Sequence, residues 1–200
     1  MKEFIKKTKE TFKKIWKFLK ADTWTSFIVD LILAFLIIKY VFFPVMALLT
    51  GSMMPLVIVE SCSMYHTTNL EDVIQNPIYS QFNLTYENTK SWGFRNGLSK
   101  GDIILVTSPK NLKVGDVIIF KASSVNPIIH RVISLNPLQT KGDHNIAQLT
   151  KNNNIAGVDE TNIKEEQLVG KASFRVPFLG WAKLIFFEFS RSPNEKGFCK

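Results

Sequence analysis

The sequence predicts a mainly β protein carried behind one N-terminal transmembrane α-helix. Three observations predict it: an apolar run of membrane-spanning length near the N-terminus, a change after residue 50 to short extended apolar runs, and turn-forming residues between those runs. The 200 residues are 46% hydrophobic, and mean hydropathy is +0.05, which excludes a disordered tail protein.

The first element, residues 1–22, carries eight Lys against Glu3, Glu10 and Asp22, a net +5 out of the chain's +8. The basic character therefore belongs to an arm, and the rest of the chain is nearly neutral. No nucleic-acid partner is expected. Phe4, Phe12, Ile15, Trp16 and Leu19 fall at near-helical spacing with lysines between them, as suits a helix lying on anionic membrane lipid. The plainer reading is a solvated basic tail that sets topology.

The second element, residues 23–49, is the transmembrane anchor. It is too long for the apolar region of a cleavable signal peptide. Asp30 and Lys39 interrupt it. A span from about Trp24 to Phe43, ending before Pro44, brings Lys39 near the far interface, where its side chain can snorkel; Trp24 and Tyr40 then mark the two interfaces. Cationic flanks stay in the cytoplasm, so this single-pass protein of the cell membrane is expected to hold its N-terminus inside and its remaining domain outside.

The third element, residues 50–190, is an extracytoplasmic β domain. Its extended runs are 56–59, 102–106, 116–120, 127–135 and 167–176, separated by Ser-Pro-Lys-Asn, Val-Gly-Asp and Lys-Gly-Asp turn signals. Residues 65–100 are polar and aromatic without a clear period, and are expected to be a partly helical insertion, with helix near Leu70 to Asn76. Within it, Asn83-Leu84-Thr85 is a glycosylation acceptor pattern. Residues 177–189 are apolar but only 13 long, which favours an interfacial or packed helix over a second crossing. Residues 191–200 are expected to be a frayed tail. Cys62 and Cys199 lie 137 residues apart without metal-ligand spacing, so neither a disulfide scaffold nor a zinc module is expected, and Cys62 is expected to be a small packing residue.

The chemistry concentrates in residues 55–66, where an apolar extended run delivers Ser61-Cys62-Ser63-Met64 to a strand end. A serine hydroxyl is a weak nucleophile until a base takes its proton. His130, set between isoleucines in 128–133, is the candidate base, because an imidazole titrates near neutrality. Gly142 permits a tight turn presenting Asp143, a carboxylate able to orient that imidazole.

In order, Ser-x-Ser-Met, two Gly-Asp strand boxes, His130-Arg131-Val132 and Lys141-Gly142-Asp143-x-Asn145, behind one outward-facing span, resemble the type I signal peptidases. They are closest to the archaeal and endoplasmic-reticulum branch, and the resemblance covers about residues 25–185. It implies a signal-peptidase-like β domain and a serine endopeptidase that removes signal peptides from exported pre-proteins after small residues. Ser63 would be nucleophile, His130 general base and then general acid, Asp143 the matching acid, and Ser61 an oxyanion-hole donor. The implied partners are signal peptides, membrane lipid and the protein-export machinery; no metal or organic cofactor is implied.

The chain departs from the family pattern at Cys62 and His66, where glycine and proline are usual, and at Leu149, where eukaryotic-type members carry a further aspartate. Asp159 is the alternative acid for His130, and His66 a rival base that lies too close in sequence to reach back. Ser52, in Gly51-Ser52-Met53-Met54-Pro55, is the alternative nucleophile, although there the strand would follow the serine instead of leading to it. Two other functions stay open: a catalytically inactive membrane-anchored binding module, and a different serine hydrolase, disfavoured by the lack of a Gly-x-Ser-x-Gly elbow.

Overall fold

The lysine-rich arm is helical from Lys2 to Leu19 (α1) in the computed structural model, which describes residues 2–121, 127–154 and 157–200. Phe4 and Trp16 are exposed on α1, whereas the side chains of Phe12 and Ile15, part of the expected apolar stripe, lie outside the described atoms. Thr23 starts α2 (Trp24–Ile37) by accepting the Ser26 N–H at 3.2 Å, and Ser26 Oγ donates back to the carbonyls of Phe18 and Leu19 at 2.8 and 3.2 Å. One hydroxyl thus satisfies orphan carbonyls at the end of α1.

The helix does not stop at Pro44 as expected. It widens into a π turn over Ile38–Phe42 and continues as α3 (Phe43–Thr50). A proline clashes with the carbonyl four residues earlier and cannot donate to it; the wider turn accommodates both defects. The continuous segment Trp24–Thr50 has 27 residues and a mean hydropathy of 2.5, long and apolar enough to cross a bilayer.

Residues 1–49 and 50–200 form separate compact units. The second is built on a six-stranded, wholly antiparallel sheet in the order β1-β2-β6-β3-β4-β5, with β1 Leu56–Ile58, β2 Ile103–Thr107, β3 Val117–Phe120, β4 Ile128–Leu135, β5 Leu138–Lys141 and β6 Leu168–Val176. Bulges interrupt the β2–β6, β3–β6 and β4–β5 pairings, and bulges increase local twist and bend the strands. Val57, Ile104, Ile119, Ile129 and Ala172, drawn from five strands, share one core; Ile118, Phe120 and Val132 pack on the opposite face with Val158 and Ile163. Alternation along β3 divides its residues between the two cores.

The two Gly-Asp boxes are strand-entry turns. Gly101 and Gly115 hold φ values of +91° and +94°, and Asp102 and Asp116 each accept the backbone N–H three residues earlier, from Ser99 at 2.8 Å and Lys113 at 2.9 Å. Each carboxylate closes the turn that the preceding glycine permits.

Within the insertion, α4 (Leu70–Ile74), α5 (Pro77–Gln81) and α6 (Tyr86–Thr89) accompany a third core of Leu70, Val73, Tyr79 and Trp92 packed against Ile133 of β4. By residue count helix exceeds strand, 36% against 18%, so "mainly β" holds only for the sheet that organises the second unit. The lysine-rich arm, the apolar segment Trp24–Thr50 and this insertion supply most of the helix, while the strands are short.

The expected long helix over 177–189 reduces to α7 (Trp181–Leu184). Trp181 packs on Gly101 and donates Nε1 to the Lys100 carbonyl at 3.0 Å, and Leu184 is buried, but Phe178, Leu179, Ile185, Phe186 and Phe187 are exposed. Residues 191–200 are not a frayed tail. Arg191 reaches Glu60, the Glu195 carbonyl accepts from Lys100, and Cys199 is disulfide-bonded to Cys62.

A Cβ on Gly115 would stand 2.2 Å from Trp92 Cδ1, and its φ disfavours any L side chain. Gly115→Ala is therefore expected to destabilise the protein by about 1–3 kcal/mol, read as a lowered midpoint in urea unfolding followed by tryptophan fluorescence.

Candidate functional site

Ser63 does not sit at the end of a long strand. β1 stops at Ile58, pairing with the segment before β2 continues through Val59, and Ser61–Met64 form a turn closed by Tyr65 N–H donating to the Cys62 carbonyl at 3.0 Å. The Ser61 and Ser63 hydroxyls are 3.2 Å apart, within hydrogen-bond reach. The Ser63 carbonyl accepts the His144 N–H at 2.9 Å. The turn after β1 thereby meets the turn after β5, although these strands are the opposite edges of the sheet.

His130 is buried in the middle of β4 opposite Ile118. Its ring reaches toward the same turn. A Cβ placed on Gly142 would lie 2.7 Å from the Ser63 carbonyl oxygen, 2.8 Å from His130 Nε2 and 2.7 Å from Asn145 Nδ2. Gly142 has an ordinary φ, so glycine is needed there for close approach: only a hydrogen fits between the serine turn and the imidazole.

The other ring nitrogen, Nδ1, bonds the carboxylate of Glu160, a residue the sequence reading did not single out. Glu160 is wholly buried and also accepts Thr140 Oγ1 at 2.9 Å and the Leu149 N–H at 2.7 Å. A carboxylate in this position makes Nδ1 the donor and leaves Nε2 as the acceptor facing the Ser63 turn.

Neither acid expected beside His130 is there. Asp143 pairs with Arg131: Nε donates to its two oxygens at 2.9 and 3.2 Å and Nη2 to Oδ2 at 2.7 Å, with both side chains fully buried. Strand alternation is the reason. Arg131 is opposite Lys141 in the β4–β5 register, so Asp143, two residues past Lys141, follows onto the Arg131 face, while His130 points to the other face. Asp159 is half-buried and accepts from Thr161 N–H and Oγ1, which holds its carboxyl below the usual range.

Burial alone would push the Asp143 carboxyl up, but the Arg131 guanidinium and the hydrogen bonds it receives outweigh this and hold it below its ordinary value. His66 lies on this side too, with Nε2 3.5 Å from Asp143 Oδ2 and Nδ1 bonded to the Thr68 carbonyl, so it flanks the ion pair. Lys141 is buried, donates to the Gly142 carbonyl at 2.9 Å and stands 5.2 Å from the Tyr79 ring centroid; burial lowers its pKa although Asp143 and Glu160 pull the other way.

Ser52 is committed elsewhere. Its buried hydroxyl donates to the Val169 carbonyl at 3.2 Å and accepts the Met54 N–H at 3.3 Å, making it a structural residue of the turn before β1. Cys62, expected to be a packing residue, forms a disulfide with Cys199, their Cα atoms 5.5 Å apart. Among the described residues no cluster of three or more His, Cys, Asp or Glu is arranged to hold a metal ion.

Chemically, the arrangement presents a pair of hydroxyls, Ser61 exposed and Ser63 half-buried, on a turn that Gly142 lets approach an imidazole whose far nitrogen is held by a buried carboxylate. Arg131→Met leaves Asp143 buried without its cation and is expected to cost about 3–5 kcal/mol in urea unfolding at pH 7. Because the Asp143 pKa is lowered on folding, its contribution is complete above its ordinary value of 3.8 and is lost as the pH falls through the folded value. The stability gap between wild type and Asp143→Asn is therefore expected to narrow when the same unfolding is repeated below pH 3.8. No protein-family model matches the chain, and no curated protein matches it.

Proposed function

We propose that this chain is a membrane-anchored serine endopeptidase of the type I signal peptidase kind, which cleaves N-terminal signal peptides from exported pre-proteins after small residues. One observation carries the reading: His130 bonds a buried carboxylate through Nδ1, and its Nε2 and the Ser63 carbonyl lie 2.8 and 2.7 Å from the point where a Cβ on Gly142 would stand. That is the base–orienter arrangement nucleophilic serine catalysis requires, with Glu160 taking the part expected of Asp143.

In this reading Ser63 Oγ attacks the scissile carbonyl while His130 Nε2 takes its proton. The imidazolium, stabilised by Glu160, then protonates the departing amine, and water repeats the sequence on the acyl-enzyme. Ser61 Oγ and the Ser63 N–H serve the developing oxyanion; one such donor is worth about 3–4 kcal/mol. β1 is an edge strand, so an extended peptide can pair along it and run toward Ser63.

The anchor supports the substrate assignment, since a signal peptide leaves its apolar core in the bilayer and enzyme and substrate then share one plane. Eight lysines before the span favour a cytoplasmic N-terminus and an outer catalytic unit. The exposed aromatic and aliphatic side chains of 178–187 suit contact with the lipid interface. The protein-export machinery is the expected source of substrate.

The test is cleavage of a pre-protein bearing an Ala-x-Ala site by the full chain in detergent micelles. Ser63→Ala and His130→Ala are expected to lower kcat at least about 10³-fold, Glu160→Gln about 10²–10⁴-fold, and Ser52→Ala to leave cleavage intact. Gly142→Ala is expected to abolish cleavage by separating Ser63 from His130. Full cleavage by Ser63→Ala would overturn the assignment, and loss with Ser52→Ala alone would transfer it. A chain that binds pre-protein but never cleaves it would be the inactive binding module instead.

A further inference from the structure

The residue between the two site serines is covalently tied to the far end of the chain. Cys62 bonds Cys199, and Glu60, two residues before it, is held by the same segment: Arg191 Nη1 donates to its carbonyl and Nη2 to its carboxylate, both at 3.0 Å. The segment is itself anchored. Buried Lys100 donates to Glu188 Oε1 and to the Glu195 carbonyl, each at 2.6 Å, and its backbone N–H points at Cys199 Sγ at 3.4 Å. Phe198 packs on Trp181 with centroids 4.7 Å apart.

Ser63 therefore lies in a turn held on both flanks, while Met64 after it is buried and its carbonyl accepts the Leu98 N–H at 2.8 Å. The His144 N–H fixes the Ser63 carbonyl on the side of His130, and the disulfide fixes the preceding residue on the side of residues 188–199. A turn of four residues outside any strand has few backbone constraints of its own, and effective serine–imidazole geometry tolerates errors well below 1 Å.

We propose that the Cys62–Cys199 disulfide is a positioning clamp for the Ser61–Met64 turn, so that reactivity of Ser63 depends on the oxidised state of this pair. The inference rests on the reading of Ser63 as nucleophile. A dithiol reverses the clamp: one thiolate attacks a sulfur of the pair and releases the other cysteine as a thiol. The second thiol of the reductant then displaces the mixed disulfide, leaving two cysteine thiols and the cyclic oxidised reductant. An oxidising compartment outside the membrane would keep the clamp closed.

The test compares the full chain in detergent micelles before reduction, after dithiothreitol treatment and after reoxidation, alongside Cys199→Ser. Cleavage of the Ala-x-Ala pre-protein and backbone hydrogen exchange over residues 61–66 are both read. On reduction kcat is expected to fall at least tenfold with KM within twofold, to return on reoxidation, and to be equally low and indifferent to dithiothreitol in Cys199→Ser. Protection over 61–66 is expected to drop while that of β3 and β4 is kept. An unchanged kcat, or a loss that tracks unfolding of β3 and β4, would overturn the clamp. If no form cleaves, the signal peptidase reading fails, and the exchange measurement alone decides the clamp: unchanged protection over 61–66 refutes it.

Discussion

The guanidinium of Arg131 holds together the parts of the second unit that the sheet alone leaves apart. From β4 it reaches Asp143 in the turn after β5, the Gly93 and Phe94 carbonyls of the insertion, and the Gly115 carbonyl at the entry to β3. Burying a charge this deeply costs several kcal/mol unless its donors are satisfied, and here Nε, Nη1 and Nη2 all have acceptors. The same pair holds the Lys141–Asn145 turn, whose Gly142 makes the close approach to Ser63 and whose His144 N–H fixes it. The geometry at the serine thus depends on an ion pair that does not touch it.

The pleat of β4 then divides the chemistry. His130 and Arg131 are adjacent in sequence and opposite in space, and each takes its own carboxylate. Asp143 is already neutralised by a permanent cation. Glu160 receives its hydrogen bonds from Thr140, Leu149 and His130, which are neutral donors when the imidazole is unprotonated. The partition leaves Asp143 tied to the guanidinium in the scaffold and Glu160 on the imidazole, the place the proposed general base needs an orienting carboxylate.

The apolar helix near the N-terminus and five of the six strands were legible because each is a local pattern of run length or alternation; β5 was not anticipated, and Ser63 lies in a turn beyond β1 instead of at a strand end. The acid was not legible, because choosing between Asp143, Asp159 and Glu160 requires the β4–β5 register, and a shift of one residue exchanges faces. The two cysteines were misread for a similar reason. A separation of 137 residues says nothing about distance once Lys100, Arg191 and Trp181 draw residues 188–199 back along the turn after β1. Local propensity predicts fraying there; long-range pairing overrides it.

Two Gly-Asp boxes and a third Gly-Asp look alike in sequence and act differently in the fold. Asp102 and Asp116 turn back on backbone N–H groups three residues earlier, the shortest use of a carboxylate beside a left-handed glycine. Gly142 has no positive φ, so its turn does not use that device, and Asp143 is left to meet Arg131 across the hairpin. What distinguishes the third box is which groups stand against the missing side chain: the Ser63 carbonyl and His130 Nε2 at Gly142, where Gly101 and Gly115 meet the rings of Trp181 and Trp92. At Gly101 and Gly115 a side chain would meet both a left-handed backbone and an indole ring; at Gly142 the backbone is ordinary, so the glycine there is explained by the approach of the serine turn and the imidazole alone.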